Sequence, residues 1–414
     1  MLKYVTPSGL SFALLAAGPA LPLMSQAAFV EDSKASLTIN NYYFNSDYRQ
    51  PGAVQSKRAE WAQGFMINYQ SGFTEGVVGF GLDALGTLGL KLDSSSDRIG
   101  TGLLSADNAG NPQDDYSQLG LTAKARVSKS TLMLGTLMPR MPTLLANESR
   151  LFPQTFRGGQ LVSEEIAGLT LDGGRLSKTS IRNDSSYDDM IVTGQGITGG
   201  QLTDQFDFAG ARYKWTKELT TSYNYGHLKD NYKQHIVNLL HTWPLGDGQS
   251  FKSDLRYARS TDDGNTNVDN TALGAMFTYS VKGHAMSLAY QKMNGDTGFP
   301  YIGGTDGFLV NFVMIAADFA NPDEKSWQAR YSYDFAALGL PGLTFMTRYV
   351  SGDGFERRGT NAKEWERNSD IAYAFQSGAL KNFVVRWRNG TYRSSGGNDI
   401  DQNRVILSYT LPLL

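Results

Sequence analysis

Short segments in which apolar and polar residues alternate make up the chain after residue 34, and clusters of Gly, Asn, Asp and Pro separate them. We count eighteen such segments, near 35–45, 58–71, 74–90, 116–128, 130–137, 160–167, 168–178, 206–216, 217–229, 233–244, 248–260, 270–281, 283–293, 323–334, 341–350, 365–376, 381–394 and 402–414. A period of two predicts β-strands, and the lengths are close to the ~10 residues with which a tilted strand crosses a bilayer. Because an open sheet edge would leave backbone groups unpaired in hydrocarbon, membrane-spanning strands must close into a barrel.

The connections between these segments alternate in length. Short connections lie at 128–130, 215–217, 281–283 and 376–379, and long ones at 92–115, 138–159, 179–205, 294–322 and 351–364. Short turns at one end and long loops at the other are typical of outer-membrane barrels. The sequence therefore predicts an all-β fold, an 18-stranded antiparallel transmembrane β-barrel.

The last segment carries the barrel pattern to the end of the sequence. Val405, Leu407 and Tyr409 fall on one face of the strand, whereas Arg404 falls on the other. Ile406 is an apolar exception on the polar face. This segment is suited to close the barrel with its charge directed into the lumen.

The N-terminus has the features of a secretory signal peptide. Lys3 supplies a positive charge, the apolar run 10–23 follows, and Ser25 and Ala27 place small residues before a cleavage site. The run is shorter than the ~20 residues of a membrane-spanning helix. We predict a signal peptide over 1–27 and a barrel domain over 28–414. The chain has no Cys, which excludes disulfides and thiol chemistry.

Cations are concentrated on the face of the strands that must point inward. A charge that faces hydrocarbon costs about 2–4 kcal/mol near the bilayer midplane, so these side chains are expected in the lumen. The predicted basic ladder consists of Arg58, Lys124, Arg126, Arg256, Arg330, Arg348, Arg386, Arg388 and Arg404. A row of cations in a narrow pore passes anions from site to site, and Arg binds carboxylate in a bidentate fork. The alternative is that these cations pair with inward acids such as Asp83 and Asp254 and only brace the wall.

Several runs resemble one known family over essentially the whole chain after residue 27. The matching runs are 41–45 (NYYFN), 79–84 (GFGLDA), 88–93 (LGLKLD), 149–155 (SRLFPQT), 289–292 (AYQK), 324–331 (EKSWQARY) and 341–346 (PGLTFM). The chain resembles the OprD-type outer-membrane carboxylate channels, also called the Occ family.

The resemblance implies a barrel of eighteen strands whose third and seventh extracellular loops, here near 138–159 and 294–322, fold inward to narrow the pore. It also implies that Asp306 is the acidic residue of the constriction, facing the basic ladder. Two positions depart from the family's ladder, because Asn40 and Ser46 stand where arginines are expected.

The predicted function is passive, substrate-specific uptake of small carboxylates, aromatic or cyclic ones in particular, across the outer membrane of a Gram-negative bacterium. A solute would meet Arg126, Arg386 and Arg388 at the constriction and leave along Arg58 and Arg404. The alternatives are a channel of the same family for basic amino acids or peptides, and a less selective general diffusion porin.

An enzyme is not expected. The four histidines, at 227, 235, 241 and 284, lie in no nucleophile motif, and no metal-ligand spacing or phosphate-binding Gly loop is present. We predict no cofactor and no metal. The predicted partners are small carboxylates and outer-membrane lipid, without nucleic acid, for a monomer or weak trimer.

Overall fold

A computed structural model describes residues 29–50, 53–315 and 318–414. The predicted signal peptide therefore lies outside the described residues. The main sheet contains eighteen strands. They are β1 Lys34–Tyr48, β2 Lys57–Gln70, β3 Gly79–Asp93, β4 Asp115–Val127, β5 Ser130–Leu137, β6 Thr155–Ser163, β7 Leu169–Ser180, β8 Phe206–Lys214, β9 Leu219–Leu228, β10 Tyr232–Gly246, β11 Gln249–Asp262, β12 Asp269–Val281, β13 His284–Asn294, β14 Lys325–Asp334, β15 Leu343–Arg357, β16 Thr360–Ala374, β17 Phe383–Ser394 and β18 Ile400–Pro412.

The sheet closes on itself because its first and last strands pair. β1 and β18 run antiparallel from Ser36 opposite Pro412 to Tyr48 opposite Ile400. Each of the eighteen strands overlaps one of the eighteen predicted segments. The prediction of a closed 18-stranded antiparallel barrel is confirmed, and the last segment is the closing strand.

One predicted loop is wrong. The segment 351–364 is a strand hairpin, because β15 continues to Arg357, β16 begins at Thr360, and only two residues connect them. Both turn residues, Arg358 and Gly359, have positive φ, at 55° and 73°. The glycines at 352 and 354 indicated a loop in the sequence, but a register shift at Asp353 absorbs them inside the hairpin. Similarly, β6 begins at Thr155, so the predicted loop 138–159 is shorter and spans 138–154.

The two faces of the wall differ as the alternation predicts. Large apolar side chains face outward and are exposed, for example Leu119 (69% exposed), Leu288 (66%) and Trp327 (49%). Among the described residues, no helix has the length and apolarity that a membrane crossing demands.

Apolar clusters pack inside the barrel beneath the loops. The second loop (94–114) and third loop (138–154) cover Tyr42 and Phe44 of β1, and Ile406 of β18 packs against the same cluster. This packing explains the apolar exception on the inward face of the last strand. The fourth loop (181–205) and seventh loop (295–324) contribute to two further clusters. The loops are thereby held within the lumen, where their polar side chains meet those of the wall.

Candidate functional site

A lumenal cavity of about 630 Å³ lies where the third, fourth and seventh loops meet the wall. Strands β15, β17 and β18 contribute Arg348, Arg388 and Arg404 to its lining. The third and fourth loops contribute Arg150 and Arg182. Two aspartates of the seventh loop, at 306 and 318, also line it. Five arginines therefore face two aspartates around one space.

A four-residue segment of the seventh loop, Phe312–Ile315, is fastened to the wall by its backbone. Arg348 Nη1 donates to the Phe312 carbonyl at 2.9 Å, and Arg404 Nη2 donates to the Met314 carbonyl at 2.8 Å. Glu366 Oε1 accepts the amide N–H groups of Met314 and Ile315, at 3.0 and 2.8 Å. Two of the predicted ladder arginines thus position the loop that forms one side of the cavity.

The sequence prediction missed two loop arginines. Arg150 Nε donates to the Thr101 carbonyl at 2.7 Å, and Arg182 Nη1 donates to Ser149 Oγ at 3.0 Å. Burial lowers the pKa of Arg150 to about 10, and burial also lowers that of Arg182. Both stay charged at neutral pH. Strand alternation gave no signal for them because they lie in loops, although Arg150 belongs to the run 149–155 that carried the family resemblance.

The seventh loop places its two aspartates at the cavity. Asp306 Oδ1 accepts the amide of Asn147 at 2.5 Å, and the Asp306 backbone N–H donates to the Leu145 carbonyl at 2.9 Å. Burial raises the pKa of Asp306 to about 6, although Arg182 and Arg150 oppose that rise. Asp318 accepts the Tyr301 hydroxyl at 2.6 Å. Burial raises its pKa to about 6 as well.

Four predicted ladder residues form ion pairs within the wall. Lys124 pairs with Asp83 at 2.5 Å, and Arg256 pairs with Asp254 at 2.7 Å. Arg386 and Arg388 share a single partner, Asp370, at 3.2 and 2.9 Å. Of these four cations, only Arg388 lines the cavity.

The remaining ladder residues are spread along the wall. Arg58 lies at the loop end of β2 and donates to the Gly100 carbonyl at 3.2 Å. Arg126 lies at the turn end of β4, over the Phe73 ring at 4.1 Å. Arg330 lies directly opposite Arg348 in the sheet. The predicted order of passage is therefore corrected, because a solute from the loop end meets Arg58 before the cavity and Arg126 after it.

The two positions that depart from the family's ladder have structural contacts. Asn40 Nδ2 donates to the Leu151 carbonyl of the third loop at 3.3 Å. Ser46 Oγ accepts from Gln402 at 2.7 Å. These contacts support the loop and the β1–β18 seam, and neither residue lines the cavity. Among the residues that the structure describes, no group of His, Asp or Glu side chains has the geometry of a metal site.

Known proteins share both the sequence and the barrel. The family model described as "outer membrane porin, OprD family" matches residues 27–413 of the sequence. Porin D of Pseudomonas aeruginosa is 39% identical over 419 residues, which cover 93% of this chain and 92% of that protein. The crystal structure of Pseudomonas aeruginosa OpdQ is 57% identical with a TM-score of 0.87, covering 94% of this chain and 100% of that one.

A second crystal structure, Pseudomonas aeruginosa OccK9 (OpdG), is 45% identical with a TM-score of 0.90 and covers 93% of this chain and 100% of that one. The likeness thus extends over nearly the entire chain in both sequence and fold. The chain belongs to the OprD family of outer-membrane porins, which are passive channels of the Gram-negative outer membrane and not enzymes.

Proposed function

We propose that this porin is specific for small carboxylates and that the arginines around the lumenal cavity select them. The main support for this proposal is that five arginines but only two aspartates line the lumenal cavity. Charge of one sign in a cleft with low-dielectric walls concentrates counter-ions, and a carboxylate matches the fork of a guanidinium.

The arginines divide into two roles. Arg348 and Arg404 donate hydrogen bonds to the seventh loop, so they act as positioning residues that also contribute positive potential. Arg150, Arg182 and Arg388 line the same cavity from the other loops and the wall, and we assign them contact with the carboxylate. The binding at each must be weak, because a deep well would stop the flux.

An apolar side of the cavity favours carboxylates that carry a ring. Phe312, Val313, Met314 and Ile315 line it, together with Tyr301. A ring that packs on these side chains loses contact with water while its carboxylate contacts the arginines. In ligand pockets, apolar side chains commonly provide most of the lining and a few polar groups fix the orientation. Aromatic or cyclic carboxylates therefore fit better than small hydrophilic acids.

The two aspartates of the cavity favour one alternative. Asp306 and Asp318 could hold an ammonium or guanidinium group while an arginine holds the carboxylate, as a channel for basic amino acids requires. Five arginines against two aspartates set the net potential positive, and for this reason we place the carboxylate function first.

Uptake of labelled benzoate, glucuronate, arginine and glucose into proteoliposomes tests the proposal. We expect benzoate to enter fastest, glucuronate next, and arginine and glucose slowest. Arginine ahead of the acids would assign the channel to basic amino acids. Equal rates for all four solutes would make it a general diffusion porin, and the wall cations would then serve only to brace the barrel.

A further inference from the structure

Four cations face outward on neighbouring strands of the barrel. They are Lys292 of β13, Lys325 of β14, and Lys363 and Arg367 of β16. Their neighbours along the strands are buried on the lumenal side: 291, 293, 324, 326, 362, 364, 366 and 368. The four side chains, which we call the outer cations, therefore point away from the lumen.

The outer cations lack the carboxylate partners that outward cations have elsewhere. Within the part of the chain that the structure describes, none of the four forms an ion pair. Asp353 of β15 lies opposite both Lys325 and Lys363, but outside ion-pair distance of either, and Glu356 lies farther towards the tip of the hairpin. On other strands the outward cations have aspartate partners: Arg175 with Asp207, Lys233 with Asp263, and Arg259 with Asp269. This part of the outer face therefore keeps a positive charge that the protein does not neutralise.

An apolar groove of about 690 Å³ on the outer face ends at Arg367. The groove follows one row of the sheet, in which Phe277 lies opposite Leu288 and Leu288 lies opposite Ala329. Ala329 in turn lies opposite Tyr349, which lies opposite Arg367. The small side chain of Ala329 leaves a depression between its larger neighbours. A cation thus stands at one end of an apolar channel in the lipid-facing wall.

This first groove rises from the turn end of the barrel towards the loop end. Phe277 lies four residues before the end of β12 at Val281, whereas Arg367 lies seven residues before the end of β16 at Ala374. With a rise of ~3.3 Å per residue and a tilt of ~40°, Phe277 lies about 10 Å and Arg367 about 18 Å above the turn ends. Because the apolar band of such barrels is ~25 Å tall, the long side chain of Arg367 can extend to the headgroup level. The groove therefore suits an acyl chain that descends from a headgroup bound at Arg367.

A second apolar groove, of about 430 Å³, ends at Lys292. Leu255 of β11 lies opposite Ala275 of β12, which lies opposite Tyr290 of β13, two residues from Lys292. A small side chain again lies in the floor, and a cation again stands at the upper end. The two grooves are adjacent, because Leu288 lines the first and Tyr290, on the same strand, lines the second.

Paired grooves and several cations fit a lipid that has more than one phosphate and more than one acyl chain. The loops of an outer-membrane barrel lie on the extracellular side. The outer leaflet there consists of lipopolysaccharide, whose lipid A anchor carries phosphates and several acyl chains. Arg binds phosphate in a bidentate fork and Lys binds it as a point charge. A phospholipid with one phosphate would leave the cation of one groove without a partner.

We propose that the outer cations and the two grooves form a binding site for one lipid A anchor of lipopolysaccharide. One acyl chain lies in each groove. Arg367 and Lys363 bind a phosphate at the upper end of the first groove, and Lys292 binds a phosphate at the upper end of the second, where Lys325 lies opposite it in the sheet. The phosphates supply the negative charge that aspartates supply to the outward cations on other strands.

Native mass spectrometry of the purified barrel with defined lipids tests this site. The barrel is freed of co-purified lipid and mixed with bisphosphorylated lipid A, dephosphorylated lipid A or phosphatidylglycerol. In one variant, Lys363→Gln and Arg367→Gln together remove the phosphate contacts of the first groove. In a second, Ala329→Phe fills the same groove and keeps every charge. The matched control combines Lys233→Gln with Arg259→Gln, which removes two outward cations that aspartates already neutralise.

Each variant must first show the change in gel mobility on heating that a folded barrel gives. We expect the unaltered barrel to bind one bisphosphorylated lipid A more tightly than either comparison lipid. The affinity should fall about tenfold in the variant that lacks Lys363 and Arg367, because each lost charge-assisted hydrogen bond contributes about 1.5–3 kcal/mol and ~1.4 kcal/mol is a factor of ten. Ala329→Phe should weaken binding severalfold, and the control should bind like the unaltered barrel.

Absence of bound lipid A on the unaltered barrel would overturn the proposal, as would equal losses of affinity in the Lys363 and Arg367 variant and in the control. Equal binding of dephosphorylated lipid A would exclude phosphate recognition. Equal binding of phosphatidylglycerol would show contact with any anionic lipid, and unchanged binding by Ala329→Phe would exclude an acyl chain from the first groove. Each of these results would also overturn it. Because the lipid site lies outside the lumen, carboxylate selectivity is tested separately.

Discussion

The cations around the lumenal cavity and those elsewhere on the inner wall all face the lumen, but they differ in their partners. Lys124 and Arg256 are each saturated by a carboxylate of the wall, at 2.5 and 2.7 Å. Around the cavity, by contrast, Arg150 and Arg182 bond to neutral oxygens. An arginine that is hydrogen-bonded to neutral groups retains its full charge for a solute. Arg388 is intermediate, because it lines the cavity but shares the single carboxylate of Asp370 with Arg386. The inward direction of a cation is therefore insufficient evidence for a transport role, and the ratio of cations to carboxylates around it must be considered as well.

The largest effect is expected from removing the two arginines of β17. With Arg386→Ala and Arg388→Ala combined, we expect benzoate flux to fall by about tenfold or more while glucose flux changes little. A hydrogen bond to a charged group contributes about 1.5–3 kcal/mol, and ~1.4 kcal/mol corresponds to a factor of ten. The freed Asp370 carboxylate adds repulsion. Tracer uptake into proteoliposomes measures both solutes, and an equal fall for benzoate and glucose would indicate a narrowed pore instead.

The positioning role of Arg404 predicts a different kind of effect. Arg404→Lys keeps the charge but removes the fork that bonds both Gln402 and the Met314 carbonyl, at 2.8 Å each. We expect frequent brief closures or openings in single-channel recordings, with anion selectivity altered by less than about twofold. A control, Arg126→Lys, changes a cation at the turn end of β4 that lies over the Phe73 ring and away from the seventh loop. Quiet Arg404→Lys channels, indistinguishable from that control, would show that Arg404 does not hold the loop.

Protonation of the cavity aspartates should increase the anion selectivity of the channel moderately. Burial raises the pKa of Asp306 and of Asp318 to about 6, so both lose negative charge as the pH falls from 7 to 5. The cavity then becomes more positive, and the preference for chloride over potassium should increase. Asp306→Asn removes one of the two titrating groups and should roughly halve the change in reversal potential. An identical pH response in that variant would exclude Asp306 as a charge that the permeating ion senses.

The smallest effect is expected at the turn end of the wall. Lys124→Gln removes a cation that Asp83 already neutralises at 2.5 Å. Lys124 belongs to β4, which contributes no residue to the cavity lining. Benzoate flux should stay within about twofold of the unaltered channel, because bulk water solvates the carboxylate of the unpaired Asp83. A fall as large as that of the β17 double variant would restore Lys124 to the ladder.

Sequence reasoning succeeded where periodicity constrains the side chains and failed where it does not. Each predicted strand is present because a period of two fixes which residues face lipid. Arg150 and Arg182 were missed because no such rule governs loop residues. Loop cover also explains two surprises, the inward Ile406 and the attachment of Arg404 to Met314. The glycine-rich stretch 351–354 misled the prediction, since a bulge and an extended hairpin tolerate glycine as well as a loop does.

The most direct measurement is the reversal potential of single channels in a gradient of potassium benzoate across a planar bilayer. Because five arginines and two aspartates line the cavity, we expect a reversal potential close to that of a benzoate-selective pore. In the variant that combines Arg386→Ala with Arg388→Ala, the reversal potential should shift towards zero. A potential near zero in the unaltered channel, or one of the sign that potassium selectivity gives, would contradict the account.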